Sequence, residues 1–228
     1  MGCLVGAGCN RRPGRSSGDP KTEEDKAFYA LGLDIGKNIE FFSLSPAEQQ
    51  LVHDGLDDYL NHRTPKVDLE KTSPKIREIE GVRRTARAER ERAKGKAALE
   101  KLGKEPGARV LPSGMVFRTL RPGTGASPKK PDEVKVTYEG RLLDGTVFDS
   151  SAKNNGPAEL KVEYLGDCWI NGLMEMKAGE KAQFYCSAEV LTSGRRRPGG
   201  VPAGATVVFE VDLLEVKSAP QAPPSLSP

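Results

Sequence analysis

Between Phe28 and Phe42 the apolar residues Phe28, Leu31, Ile35, Ile39 and Phe42 recur at spacings of three and four, the stripe of an amphipathic helix. Thr22 followed by Asp25 supplies a capping box at its start. A second helix opens at Ser45–Pro46–Ala47–Glu48, with Ser as cap, Pro at the first helical position and Glu three residues after the cap. Leu51, Val52, Leu56, Tyr59 and Leu60 form its apolar face. Two helices of this length cannot enclose a core, so their stripes require a partner, and a second copy of the chain is the economical one. Residues 75–104 continue as a long helix of Ala, Arg, Glu and Lys, with i,i+4 pairs such as Glu80–Arg84, Arg87–Glu91 and Glu100–Lys104. Its apolar stripe is thin, running through Ile76, Ile79, Val82, Ala86, Ala93 and Ala97, which predicts a mostly solvated spacer.

Beyond Pro106 the period changes from helical to alternating. Met115–Leu120, Val134–Tyr138, Ala182–Ser187 and Val207–Val216 read as strands, and Asp144–Gly145 marks a turn between Arg141–Leu143 and Thr146–Phe148. In the last run Val207, Phe209, Val211 and Leu213 share one face. The chain therefore divides into a terminal segment 1–20, a helical module 21–74, a spacer helix 75–104, an antiparallel sheet domain 109–217 and a Ser/Pro/Ala-rich disordered tail 218–228.

Charge adds little to this picture. The 35 basic residues exceed the 32 acidic ones by three, too small a surplus to imply nucleic-acid binding. Residues 75–104 hold the largest local excess, 11 Lys/Arg against 5 Asp/Glu, but the interleaved glutamates favour a water-exposed helix over a nucleic-acid or membrane patch. No stretch approaches about 18 consecutive apolar residues, so no helix spans a membrane.

The scarcity of chemistry-bearing side chains is more informative. Both histidines, His53 and His62, lie in the helical module, and the four cysteines, Cys3, Cys9, Cys168 and Cys186, are dispersed. There is no HExxH, CxxC or GxxxxGK motif, and no histidine near a candidate nucleophile in the sheet domain. Any reaction here has to proceed without a strong base, a nucleophile, a metal or another cofactor. Cys168 and Cys186 read as two buried thiols, with pairing an alternative in an oxidising compartment. At the amino terminus, Gly6, Ala7 and Gly8 stand before Cys9 as in the remnant of a lipoprotein signal, which makes Cys9 a candidate lipid attachment point. A disordered tail explains the same residues equally well. The myristoylation pattern fails, because Gly6 stands where Ser or Thr is needed.

The segment VTYEGRLLDGTVFDSS, from Val136 to Ser151, resembles the signature of the FKBP-type peptidyl-prolyl cis-trans isomerases, as do the later GDCWINGLMEMKAGEKAQF and PGGVPAGATVVFEVDLLEV. The similarity covers essentially all of residues 109–217 in order. Upstream, AFYALGLDIGKNI, the capped second helix, the long charged helix and LPSGMVF resemble the macrophage infectivity potentiator branch of that family. The resemblance implies an α+β fold, a twisted antiparallel sheet wrapped around one short helix, preceded by an all-α dimerisation module in residues 21–74 and a long linker helix. It also implies an enzyme that accelerates Xaa–Pro isomerisation in unfolded or proline-containing polypeptide clients, as a homodimer in the bacterial cell envelope, with the cytoplasm left open. The alternative from a different class is a catalytically weak chaperone that holds unfolded clients on the same fold.

Carried over residue by residue, the resemblance places Tyr138, Phe148, Asp149, Trp169 and Phe209 in the substrate pocket, with Trp169 as its floor and Val201 at its rim. Leu165 and Gly166 match the pair before the tryptophan, the second of which offers a backbone N–H to bound peptide. The sequence departs from the family in several places. Thr192 stands nearest the position of a tyrosine that gives its hydroxyl to substrate, Gly166 replaces a β-branched residue, Ala158 and Gly200 replace larger side chains, and Arg195, Arg196 and Arg197 add charge by the mouth. These changes imply a wider and more polar site.

Overall fold

A computed structural model describes residues 18–193 and 197–219, which fall into two compact units, residues 1–66 and 67–228. The first holds α1 (Glu23–Ile39), a 3-10 turn over Glu40–Phe42 and α2 (Pro46–Leu60). Both capping boxes form: Thr22 Oγ1 accepts from Asp25 N–H at 3.0 Å, and Ser45 Oγ accepts from Glu48 N–H at 3.4 Å. Neither helix buries a single residue. Phe28 is 66% exposed, Leu31 56%, Leu51 70% and Tyr59 79%, so the two stripes lie open in the isolated chain.

The second unit opens with α3 (Leu69–Leu102), capped by Asp68, whose side chain accepts from Lys71 N–H at 3.1 Å. It begins six residues before the expected Lys75 and carries Pro74 as its sixth residue, where proline gives up the N–H bond that position would make to the Glu70 carbonyl. The helix is mostly solvated along its whole length, and its second half also docks along a narrow face. Ala88 and Gly95 are buried, whereas Val82, Ala93 and Ala97 of the expected stripe are exposed. The docking face runs instead through Ala88, Gly95 and the half-buried Leu99, where the helix lies against the loop before the last strand. A Cβ on Gly95 would stand 2.1 Å from Thr206 Oγ1, and one on Gly204, at φ +81°, would stand 2.1 Å from the Ala88 carbonyl oxygen. Contact this close requires glycine on both sides of the seam. Arg92 adds an ion pair to Glu189 at 3.1 Å.

The remainder is a seven-stranded antiparallel sheet: β1 (Ala108–Val110), β2 (Val116–Arg121), β3 (Glu133–Leu142), β4 (Val147–Ser150), β5 (Ala158–Lys161), β6 (Lys181–Cys186) and β7 (Val207–Lys217). Its order is β1-β2-β6-β7-β3-β4, with β5 pairing β3 as well. Two short helices, α4 (Asp167–Met174) and α5 (Ala188–Thr192), complete the fold. Period-two burial is clean where the sequence alternates: Val207, Phe209, Val211 and Leu213 face inward from β7, and Ala182, Phe184 and Cys186 from β6. Leu173 and Met176 cover that face from α4 and the turn after it, joined by Met115, Phe117, Val134, Val136 and Val162.

Candidate functional site

Four strands and one short helix bring the aromatic residues together: Tyr138 from β3, Phe148 from β4, Phe184 from β6, Phe209 from β7 and Trp169 from α4. Tyr138 and Gly140 lie on the inner face of β3, with Phe209 of β7 directly opposite Gly140 on one side and Asp149 of β4 opposite it on the other. A Cβ at position 140 would lie 2.7 Å from Phe148 Cζ and 2.8 Å from Phe209 Cε1, so the missing side chain lets those two rings close over the strand. From the other side α4 delivers Trp169. Its indole meets Tyr138 edge-on with centroids 5.1 Å apart, Phe209 at 5.0 Å and Phe184 at 5.8 Å, while Phe148 meets Phe209 at 5.7 Å. These are favourable edge-to-face and tilted geometries, each contributing about 0.5–1.5 kcal/mol beyond burial. Tyr138, Phe148 and Trp169 are only half-buried, so part of each ring faces outward from the cluster.

One polar group set interrupts the apolar surface. Tyr138 Oη donates to Asp149 Oδ2 at 3.0 Å, and Asn154 Nδ2 donates to Asp149 Oδ1 at 3.2 Å and to Tyr138 Oη at 3.3 Å. Burial, and then the bond to the Asp149 carboxylate, hold the Tyr138 phenol above its ordinary range. Asn154 arrives from the 3-10 turn after β4, which Ser150 caps through Lys153 N–H at 3.3 Å. Ser151 Oγ in that turn accepts from Tyr138 N–H at 3.1 Å.

The sequence-derived residues fall out unevenly. Tyr138, Phe148, Asp149, Trp169 and Phe209 converge as described. Val201 is buried in the core beside them, and Leu165 packs half-buried against the same core with its N–H donated to Val162 O at 3.1 Å. Gly166 is the N-cap residue of α4, its carbonyl accepting from Trp169 and Ile170. Thr192 is exposed at the end of α5, and its Oγ1 donates to Ala188 O at 2.8 Å. Gly200 has a reason of its own for being glycine, since it adopts φ +76° with its Cβ direction aimed at Phe148 Cβ, 3.4 Å away. Cys9, Arg195 and Arg196 lie outside the described residues.

Two site residues escaped the sequence reading. Phe184 alternates with Ala182 and Cys186 in β6, so its inward direction was legible though its contact with Trp169 was not. Asn154 gave no signal, because a 3-10 turn places it. The expectation of two separate buried thiols is also corrected: Cys168 and Cys186 form a disulfide with Cα atoms 5.9 Å apart, linking α4 to β6. Eighteen residues of separation carried no distance information, whereas the packing of α4 on β6 brings the two cysteines together.

A sheet packed on a short helix carries a cluster of part-exposed aromatic rings beside one tyrosine–carboxylate pair. Comparison with known proteins gives the class. The family model for FKBP-type peptidyl-prolyl cis-trans isomerase matches residues 125–214, and that for the domain amino terminal to it matches residues 24–119. The FKBP-type 22 kDa peptidyl-prolyl cis-trans isomerase of Escherichia coli is 35% identical over 199 residues, 86% of this chain and 96% of that one. The outer membrane protein MIP of Legionella longbeachae is 33% identical over 204 residues, 87% and 88% of the two chains. The crystal structure of FkpA from Escherichia coli superposes with a TM-score of 0.65 at 29% identity, covering 88% of this chain and 99% of that one. The chain belongs to the FKBP-type peptidyl-prolyl cis-trans isomerase family.

Proposed function

We propose that the chain performs its family's reaction, rotation about Xaa–Pro peptide bonds, in the cradle of Tyr138, Phe148, Trp169 and Phe209. Membership makes it a peptidyl-prolyl cis-trans isomerase; the proposal concerns where and how. The carrying observation is the convergence of these rings, from three strands and one short helix, around a single polar pair.

The barrier to be lowered is about 18–20 kcal/mol for a peptide bond, and it arises from amide resonance. Resonance separates charge onto the amide oxygen and nitrogen, a form that water favours. An apolar cradle withdraws that solvation and so favours the twisted, less charge-separated bond. Seating the proline ring on the Trp169 face, between Phe148 and Phe209, holds one side of the bond while the other rotates. The stabilisation is then differential, greater for the twisted state than for either planar one, and each 1.4 kcal/mol or so of it gives tenfold in rate. Tyr138, fixed by Asp149 and Asn154, presents a phenol edge to the substrate backbone, and Gly166 at the start of α4 supplies the N–H that Leu165 has already committed. The holding-only alternative draws on Thr192, whose hydroxyl is turned back to Ala188 O, but the relatives named as isomerases favour the catalytic reading.

A protease-coupled assay on an Xaa–Pro tetrapeptide tests the site. Phe148→Ala and Asp149→Ala should each lower kcat/KM about 10- to 100-fold while circular dichroism stays native. Rates equal to wild type in both variants would remove the cradle as the reacting site.

The open stripes of α1 and α2 support a homodimer formed through residues 21–74, with proline-containing polypeptides as clients of its two sites. The disulfide, together with the relative named as an outer membrane protein, supports work in an oxidising envelope compartment. Mass spectrometry of the native protein for a lipid on Cys9 tests the anchored form of that location, and an unmodified Cys9 would rule the anchor out.

A further inference from the structure

Trp169 is the single tryptophan of the chain and touches three other rings of the site, so the orientation of α4 sets the shape of the cradle. That helix has eight residues, and its N-cap, Gly166, makes no side-chain capping bond. A two-turn helix has little stability of its own, and its orientation is imposed by what it packs on. Two attachments lie on one of its faces. Cys168 and Gly172, four residues apart, sit over Cys186 and Phe184, two apart on the inner face of β6. At Gly172 the helix backbone rests on the Phe184 ring, where a Cβ would come within 2.8 Å. A flat contact of that kind resists approach but permits sliding and rotation. At Cys168 the link is covalent.

Trp169 is the next residue, about 100° further round the helix. We propose that the Cys168–Cys186 disulfide is a positioning clasp for catalysis: it fixes the rotation of α4 about its axis and thereby the pose of the Trp169 indole against Tyr138 and Phe209. With the bond open, α4 is held only by non-covalent packing, Gly172 on Phe184 and Leu173 in the core, which restrains its rotation less than the covalent link does, and the indole leaves the pose that the twisted bond requires. The clasp rests on the cradle being the reacting site.

Tryptophan fluorescence separates the two, because it reports Trp169 whether or not catalysis depends on it. Full-length protein is measured oxidised, after treatment with dithiothreitol, and as Cys168→Ala/Cys186→Val, in which valine restores volume without the link. In the second case the dithiol supplies two electrons and two protons, the S–S bond becomes two thiols, and the reagent closes to its own disulfide. The double variant controls for Cys3 and Cys9, which dithiothreitol also reaches. The expected result is a red-shifted emission maximum and a fall in kcat/KM of at least tenfold in both unlinked forms, with far-ultraviolet circular dichroism unchanged. Emission and kcat/KM that stay at the oxidised values while only Tm falls would overturn the proposal and leave a structural staple. Loss of the fold in both unlinked forms would overturn it as well, making the bond a folding requirement. An emission shift with kcat/KM intact would overturn the clasp's part in catalysis, whereas failure of the cradle reading itself would show separately as an unchanged kcat/KM in Phe148→Ala.

Discussion

The two compact units are built on opposite terms. In residues 67–228 the apolar side chains of β3, β6, β7 and α4 are spent inward, and Phe117, Phe184, Leu173, Val136 and Val211 are fully buried. In residues 1–66 nothing in α1 or α2 is buried, although both helices carry well-formed caps and regular apolar stripes. Local signals alone therefore produce the same quality of helix in both units. What differs is whether the chain itself supplies the opposing surface. The sheet unit closes on itself and holds the aromatic site, while the helical unit leaves its apolar stripes exposed, the observation on which the proposed homodimer rests.

The sharpest way to break this contrast is to put charge on the open stripes. Leu31→Glu with Leu56→Glu should abolish association, raising the dimer Kd more than about a thousandfold, since two carboxylates would be desolvated at the apolar centre of the interface. Sedimentation velocity of the full chain reads the outcome, beside a chain that starts at Val67. Both should be monomers, with kcat/KM on a tetrapeptide unchanged. A native mass that stays dimeric in the double variant would place the interface elsewhere.

Next in size is Gly140→Ala. Only one methyl is added, yet it would enter the space of the Phe148 and Phe209 rings at 2.7 and 2.8 Å. The rings must part, and kcat/KM should fall about 10- to 30-fold, equivalent to roughly 1.4–2 kcal/mol, without change in the dimer mass. A rate within twofold of wild type would show that ring closure over β3 does not matter to catalysis.

The third contrast lies within one helix. Gly81 and Gly95 both sit in α3, but a Cβ meets nothing within 4 Å at the first and Thr206 Oγ1 at 2.1 Å at the second. Gly81→Ala should raise stability by about 0.5–1 kcal/mol through helix propensity. Gly95→Ala should lower it by about 1–3 kcal/mol through overpacking. Thermal unfolding of the two variants measures the pair, and equal shifts would contradict the docked seam.

That seam also marks the limit of what the sequence disclosed. Both capping boxes, both open stripes and the inward face of β7 were legible, because each is written in a local period of polar and apolar residues. The docking face of α3 was not, because Ala88 and Gly95 are buried by closeness of backbone rather than by hydrophobic mass, whereas the apolar period runs through Val82 and Ala97 on the solvent side. β1 and β5 were missed for a similar reason: three and four residues long, with Arg109 and Glu159 at their centres, they are strands because β2 and β3 offer them an edge. At the site, Tyr138, Phe148, Asp149, Trp169 and Phe209 lie side by side, each on an element whose period or signature segment was legible. Asn154, set by a turn, was invisible, and Thr192 was matched by position in a loop whose backbone turned its hydroxyl back to Ala188.

The smallest expected effect concerns the polar pair, the one titrating feature of an otherwise apolar cradle. Burial and the bond to Asp149 raise the Tyr138 pKa from an ordinary value of 10.0, so the folded protein holds that proton more tightly than the unfolded chain does. For a group raised on folding, its contribution to stability is complete below the unfolded value and is lost as pH climbs through the folded one. Activity should therefore stay level between about pH 6 and about pH 9, then fall above about pH 10 as a phenolate forms against the Asp149 carboxylate. Tyr138→Phe should lower kcat/KM only a fewfold, about 1 kcal/mol for the net loss of one half-exposed hydrogen bond while Asp149 keeps its bond from Asn154, and should remove that alkaline limb. Tyr185, whose phenol is also raised by burial, titrates in both proteins and cancels in the difference. An alkaline limb that persists unchanged in Tyr138→Phe would assign it to Tyr185 or to unfolding, and would leave the pair as a structural tie between β3 and β4 rather than an edge presented to substrate.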